Sequence, residues 1–282
     1  MRVDAFDYEL PQELIAQRPS AEREAARLLH VPPGDAPFEH SLVGDLGGFV
    51  PEGALLVVND TRVLPARLLA RKPDTGGRVE IFLVRRVGTK QIEVEDGDTI
   101  VAEVWRALGK ATKALRFGSE LRVASRENED RLRVRLLGRS ESDGLLEVAL
   151  WSPLGDPVTE AVRAVGHVPL PPYIKRDDDA ADSDRYQTIF ARVDGAIAAP
   201  TAGLHLTTAL LGRLAARGCE VASVTLHVGL GTFQPVTVDD LDGHAMHTEC
   251  YRVSNTAAEL IERARESNRP IVAVGTTVVR AL

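Results

Sequence analysis

Hydrophobic and polar positions fall into two textures along this chain. Toward both ends, short apolar runs alternate with stretches whose leucines, valines and alanines recur at helical spacing, whereas the middle alternates apolar and polar residues almost strictly. Pro11 opens a short helix candidate, and the Arg18–Pro19 step ends it. Residues 26–31 predict a strand, followed by a turn at Pro32, Pro33, Gly34 and Asp35. The first strong signal is the apolar run at 54–58, a strand buried on both faces. It stops abruptly at Asn59, Asp60, Thr61 and Arg62. From 66 to 151, the segments 78–85, 91–95, 99–105, 120–124, 131–137 and 145–151 read as strands punctuated by Gly76, Gly77, Gly88, Gly97, Gly118 and Gly144. Short strands at that spacing predict a small barrel or sandwich. Helical pattern returns at 155–165, and again at 207–217, where Leu206, Leu210, Leu211 and Leu214 share a face and Gly218 supplies the stop. Residues 219–227 and 271–275 predict buried strands, and Ser254 caps a helix through Ala264. Thr276 opens a helix that has completed barely one turn at Leu282, so residues are expected beyond it. The order predicts an α/β protein: a discontinuous α/β domain, residues 1–65 and 152–282, interrupted by an inserted small β-barrel-like domain, residues 66–151.

Composition narrows the class. Of the 282 residues, 44% are hydrophobic and 27% charged, as in soluble globular proteins. No apolar run reaches the roughly 20 residues of a membrane span, and the first eight residues hold no apolar signal core. A cytoplasmic monomer with no membrane partner is expected. Cys219 and Cys250 are too few for a disulfide framework. His244, His247 and Glu249 are ligand-type residues with no helix to align them, so no metal is expected. The net charge of −7 hides an asymmetry: residues 61–140 carry 18 basic and 11 acidic residues, and the remainder 16 and 30. A basic middle module in an acidic chain fits a polyanion-binding face, or simply a β module with solvated lysines and arginines. Trp105 to Lys113 reads as a basic loop beside an aromatic residue, placing Lys110 and Lys113 as phosphate contacts.

Candidate chemistry concentrates in two glycine-rich frames. Residues 198–205 end in Thr201, Ala202, Gly203, Leu204 and His205; residues 225–233 hold His227, Gly229, Gly231 and Thr232. Each sets a histidine beside glycines and small hydroxyl residues, a composition suited to a loop closing over a ligand. The second follows the carboxyl end of a predicted strand, where open α/β sheets bind ligands. Neither is a phosphate-binding loop, because no lysine follows a glycine run and no GxGxxG precedes a helix. A lone histidine at a strand end is more often a structural hydrogen-bonder than a catalyst; two in one frame make the readings even. Asn59, Asp60, Thr61 and Arg62 read either as a turn or as a second lip of the same crevice, facing both histidines. Pro169, Pro171 and Pro172 stiffen a segment holding His167 and Tyr173 at fixed separation.

These stretches together resemble the S-adenosylmethionine:tRNA ribosyltransferase-isomerase family of queuosine biosynthesis. The resemblance rests on Phe6-Asp-Tyr-Glu-Leu-Pro11, Leu56-Val-Val-Asn-Asp-Thr-Arg-Val-Leu-Pro-Ala-Arg67, Gly166-His-Val-Pro-Leu-Pro-Pro-Tyr-Ile174, Asp184-Arg-Tyr-Gln-Thr188, Ala199-Pro-Thr-Ala-Gly-Leu-His205, Leu226-His-Val-Gly-Leu-Gly-Thr-Phe233 and Gly275-Thr-Thr-Val-Val-Arg280, in family order. It implies an α/β domain with a barrel-like insert. It also implies transfer and rearrangement of the ribosyl part of S-adenosylmethionine, a co-substrate, onto 7-aminomethyl-7-deazaguanine in a tRNA anticodon. Epoxyqueuosine forms, and adenine and methionine leave. Family members continue past the last of these motifs. Such chemistry needs proton transfer near neutrality, for which His167, His205 and His227 are candidates. Asn59, Asp60, Thr61, Arg62 and Tyr173 become candidates for substrate, and Thr201, Gly203, Gly229, Gly231 and Thr232 for S-adenosylmethionine. Two alternatives remain: a catalytically inactive tRNA-binding fragment, and a nucleoside hydrolase or lyase.

Overall fold

The computed structural model describes residues 1–95, 97–112, 114–125, 129–229, 231, 236–244 and 248–282. The proline-broken N-terminal segment makes only 3-10 turns, at Val3–Phe6, Gln12–Leu14 and Arg23–Ala25, where a helix from Pro11 is expected. A hairpin follows, β1 (Arg27–His30) with β2 (Glu39–Leu42). Next come β3 (Leu55–Asn59) and β4 (Thr61–Val63). The barrel strands are β5 (Arg67–Arg71), β6 (Arg78–Glu93), β7 (Thr99–Ala111), β8 (Glu120–Val123), β9 (Arg133–Arg139) and β10 (Leu146–Trp151). After them lie α1 (Val158–Val165), α2 (Asp182–Arg185), β11 (Val193–Ala196), α3 (Thr208–Ala215), β12 (Glu220–Leu226), β13 (Tyr251–Val253), α4 (Asn255–Glu266), β14 (Ile271–Ala273) and α5 (Thr276–Ala281). The chain divides into one unit of Met1–Val63 with Leu170–Leu282, and a second of Leu64–Pro169.

In the first unit, β3 lies between β12 and β14, parallel to both, and β13 pairs antiparallel with β12. Every residue of β3 is buried, as expected of a strand covered on both faces. Leu56 packs with Leu206, Leu210 and Leu214 on one side. Leu55 and Val57 pack with Ile261, Ala264 and Val278 on the other. The helical leucine stripe of α3 thus covers one face, and α4 and α5 cover the second. Ser254 Oγ accepts from Ala257 N, the cap the sequence predicts; Thr207, expected as the first helical residue, caps α3 by accepting from Leu210 N, and α5 starts behind Gly275 without a side-chain cap from Thr276. A separate two-stranded parallel ladder joins β4 to β11, with Thr61 opposite Val193 and Arg62 opposite Asp194.

The second unit is a closed barrel in the order β10-β7-β6-β5-β8-β9. Inward residues Leu68, Ile81, Leu83, Leu121, Val134, Leu136, Val148 and Leu150 fill it. Two features differ from expectation. Residues 78–85 and 91–95 form one bent strand, β6, with register shifts after Leu83 and Arg86; extra residues there let one long strand curl around the barrel. The stretch from Trp105 is not a loop. It continues β7 to Ala111, Lys110 is exposed opposite Glu80, and Lys113 lies outside the described residues. The boundary moves too. Ala161, Val162 and Val165 of α1 join the barrel core, so residues 152–169 belong with the barrel and not with the α/β portion.

Candidate active site

β3 ends at Asn59, and the chain steps sideways into β4, so four polar residues gather at the carboxyl ends of parallel strands. Asn59 is 2% exposed. Its Nδ2 donates to Leu226 O at 2.9 Å, and its Oδ1 accepts from Leu226 N at 3.0 Å and Thr61 N at 3.2 Å. The amide therefore extends the β3–β12 ladder by side chain where the backbone has left it. Asp60, also 2% exposed, accepts from Thr225 Oγ1 at 2.6 Å and from Arg192 at 2.7 Å. Buried carboxylates need such partners. Both residues are expected from sequence to contact substrate. Burial and these hydrogen bonds make them a brace between the strand ends.

Thr61 Oγ1 and His227 Nδ1 share a hydrogen bond of 2.9 Å. His227 follows β12 directly, half-buried, and its ring lies against Gly195 of β11. A Cβ at Gly195 would fall 2.9 Å from Cε1 and Nδ1 of the ring, and φ there is +138°, so only glycine leaves the imidazole this place. Burial pushes the His227 pKa below its ordinary value, with the Asp60 carboxylate opposing. Arg62 is half-exposed, donates to Ala191 O at 2.7 Å and lies 4.0 Å from Asp194. Thr61, Arg62, Gly195 and His227 therefore occupy one strand-end cluster.

His205 is not in that cluster. It ends the 3-10 turn Thr201–His205, and the charges acting on it are those of Arg23 and Arg185. Though its edge is exposed, neighbouring atoms and those two guanidiniums hold its pKa below the ordinary value. His167 belongs to the barrel unit, half-buried, where its main chain bridges to Arg67.

A cavity of about 350 Å³ opens beside the start of the same 3-10 turn, within the roughly 300–1,000 Å³ range of small-molecule sites. Tyr173, Tyr186, Thr201, Val228, Gly275 and Thr277 line it. Tyr173 and Thr201 are expected from sequence. Gly203 lies behind the turn, against Thr188 and Phe190. Gly229 donates its N–H to Glu249 at 2.9 Å; Gly231 is half-buried, and Thr232 lies outside the described residues. Tyr186 and Thr277 go unassigned in the sequence reading, although both fall within stretches that carry the resemblance. Tyr186 is 8% exposed, and its hydroxyl, near the Ala199 main chain, lacks a hydrogen bond of normal geometry; burial pushes its pKa up to about 12. Thr277 Oγ1 is likewise buried without a partner. Both oxygens are buried, and among the described residues neither has a hydrogen bond of normal geometry.

Glu249 is held by hydrogen bonds at both oxygens. Its second oxygen accepts from Arg280 at 2.6 Å, tying the 229 loop to α5. Among the described residues no group of three or more His, Cys, Asp or Glu could hold a metal ion, and His247 lies outside them. No described helix is long and apolar enough to cross a membrane.

Comparison with known proteins bears on this arrangement. Residues 3–282 match a family described as queuosine biosynthesis protein. The chain is similar to the S-adenosylmethionine:tRNA ribosyltransferase-isomerase of Sorangium cellulosum (strain So ce56), 53% identical over 100% of this chain and 76% of that relative. The proteins of that name from Geotalea uraniireducens (strain Rf4) and Xanthomonas euvesicatoria pv. vesicatoria (strain 85-10) are 43% and 46% identical, over 100% of this chain and 76% and 73% of theirs. A crystal structure of S-adenosylmethionine tRNA ribosyltransferase from Thermotoga maritima aligns at 29% identity, 98% of this chain and 71% of that one, with a TM-score of 0.41. With a match from residue 3 to residue 282, the chain belongs to the queuosine biosynthesis protein family.

Proposed function

We propose that this chain is an S-adenosylmethionine:tRNA ribosyltransferase-isomerase. It moves the ribosyl group of S-adenosylmethionine onto the aminomethyl nitrogen of 7-aminomethyl-7-deazaguanine in tRNA and rearranges it to epoxyqueuosine, with loss of adenine and methionine. The observation that carries this reading is the 53% identity to a relative of that name across the whole of this chain.

The geometry supports a division of labour. The cavity of Tyr173, Tyr186, Thr201 and Thr277 takes the adenosine part of S-adenosylmethionine, whose polar edge satisfies the two free hydroxyls. Gly203, Gly229 and Gly231 shape the loops around it, and Thr232 binds the same co-substrate. His227 is the proton-transfer group. It is oriented by Thr61, walled by Gly195 and desolvated enough to stay neutral near pH 7, so it can take a proton made acidic by the neighbouring sulfonium. The same imidazole, once charged, can return that proton to departing adenine. Arg62 faces substrate hydroxyls, and Lys110 and Lys113 of the barrel unit contact tRNA phosphates. His167 is a second acid–base candidate. The enzyme works without a metal, as a cytoplasmic monomer.

The test is adenine release from S-adenosylmethionine, with nucleoside analysis of the tRNA. Release that requires precursor-bearing tRNA and yields epoxyqueuosine supports the transferase. Release without tRNA would make the chain a hydrolase, and tRNA binding without release an inactive binder.

A further inference from the structure

Two guanidiniums and an imidazole of the α/β unit come together, and among the described residues no carboxylate pairs with them. Arg23, on its 3-10 turn, donates to Leu204 O and to Asp184 O. Arg185, at the end of α2, donates to Ala21 O and Ser20 O. The two side chains thus cross between the same pair of segments in opposite directions, and each binds main-chain carbonyls only. Among the described residues neither guanidinium has a carboxylate within ion-pair distance. His205 completes the group, since its ring feels both charges.

The surrounding acids are engaged elsewhere or held back. Glu24 accepts from Thr207 and Arg213, and Asp179 and Asp182 are taken by Arg18 and Arg176. Asp184 acts on Arg23 at longer range only. The residues outside 61–140 carry 30 acids against 16 bases, so carboxylates outnumber cations in this part of the chain. Desolvation and the mutual repulsion of Arg23 and Arg185 depress the Arg23 pKa. Like charges held together at such a cost are relieved by an anion. Each guanidinium uses two nitrogens on carbonyls and keeps further N–H donors, in a fork suited to phosphate oxygens.

The position favours one source of that anion. The cluster does not line the cavity, and the edge of His205 is open to solvent, so it suits a polymer passing over the surface better than a small molecule enclosed within. It is still close in sequence to the cavity wall: Arg185 precedes Tyr186, and His205 ends the turn that Thr201 begins. We propose that Arg23, Arg185 and His205 form an oxyanion subsite that takes a backbone phosphate of the RNA substrate near the nucleotide being modified. That the polymer is RNA rests on the function proposed above; the subsite itself rests on the cluster.

The experiment measures binding of an anticodon stem–loop RNA to the full chain across a salt series, and S-adenosylmethionine binding in parallel. Arg23→Gln with Arg185→Gln should weaken RNA binding about tenfold or more. It should also flatten the slope of log affinity against log salt by roughly 0.7–0.9 per lost contact, with S-adenosylmethionine affinity unchanged. Because both arginines also brace the main chain, His205→Glu is the second probe. That ring makes no hydrogen bond to a described residue, so the fold should persist while RNA binding falls with the reversed charge. An unchanged salt slope in folded variants overturns the proposal. So does a loss of S-adenosylmethionine affinity in place of RNA affinity, which would assign the cluster to the methionine carboxylate. RNA binding is read without turnover, so a chain that binds through these residues yet transfers nothing would overturn the activity and keep the subsite.

Discussion

Thr61 Oγ1 stands 2.9 Å from His227 Nδ1, joining the first residue of β4 to the residue that follows β12. The pair spans 166 positions in sequence, and it exists because Asn59 holds the two strand ends together. The hydrogen bond fixes the ring and leaves Nε2 as the working nitrogen. Thr61→Val keeps the side-chain volume and removes the hydroxyl. Turnover should fall on the order of tenfold, about 1.4 kcal/mol of barrier, with both substrates still bound. Unaltered kcat would show that His227 needs no such guide.

Replacing His227 itself separates chemistry from packing. His227→Ala should cost on the order of 10²–10⁴ in turnover, and His227→Asn should not restore it, because an amide hydrogen-bonds but does not titrate near neutrality. Full activity in the Asn variant at unchanged melting temperature would remove the proton-transfer role.

Gly195→Ala is a remote route to the same defect. The added Cβ meets the imidazole and the positive φ disfavours it, so the ring must shift. A kcat loss comparable to that of Thr61→Val is expected, with KM for S-adenosylmethionine little changed. A crystal structure of the variant with His227 unmoved would contradict this.

The cavity hydroxyl of Tyr186 yields a prediction of opposite sign for stability and binding. Tyr186→Phe removes a buried group that costs roughly 1–3 kcal/mol when unsatisfied, so the melting temperature should hold or rise. If a ligand fills the cavity, affinity for S-adenosylmethionine should drop about tenfold, near 1.4 kcal/mol. Calorimetric titration reads both, and equal affinity would place the ligand elsewhere.

Acid should weaken the α/β unit through two of its histidines, His205 and His227. The pKa values of His205 and His227 are lowered in the folded chain, chiefly by burial. The unfolded chain therefore binds protons first as pH falls. The stability linked to these groups is present above the ordinary imidazole pKa near 6.5 and is lost as pH falls through the lowered folded values. Denaturant midpoints measured from pH 8 downward should decline below that point, and less steeply in His227→Asn. A parallel decline in wild type and variant would remove His227 from the account.

What the sequence makes legible follows the range of the forces involved. β3, the leucine stripe of α3 and the cap at Ser254 are local patterns, and they appear where local pattern predicts them. His227 is legible as a histidine at a strand end. The run from Asn59 to Arg62 reads as one polar lip, yet it divides in the structure: Asn59, Asp60 and Thr61 are buried on hydrogen bonds, while Arg62 is exposed. Nothing local distinguishes them, because the deciding partners, Leu226, Thr225 and Arg192, are more than 130 positions away. Arg23 and Arg185 are illegible for the same reason, being defined by main-chain carbonyls about 160 or more residues distant. Lys110 misleads in the opposite sense, since Gly109 beside it suggests a turn where β7 runs on.

The central place of β3 also sets an order of events in synthesis. Leu55 pairs with Glu220 on one side and Ile271 on the other, so this wholly apolar strand leaves the ribosome long before either neighbour exists. The barrel strands, close to one another in sequence, can associate meanwhile. Non-local pairing is slow, and an unpaired apolar strand is an aggregation hazard while it waits. Residues 54–58 are accordingly where a chaperone should hold the nascent chain, and where pausing or truncation before Ile271 should drive the chain into inclusion bodies.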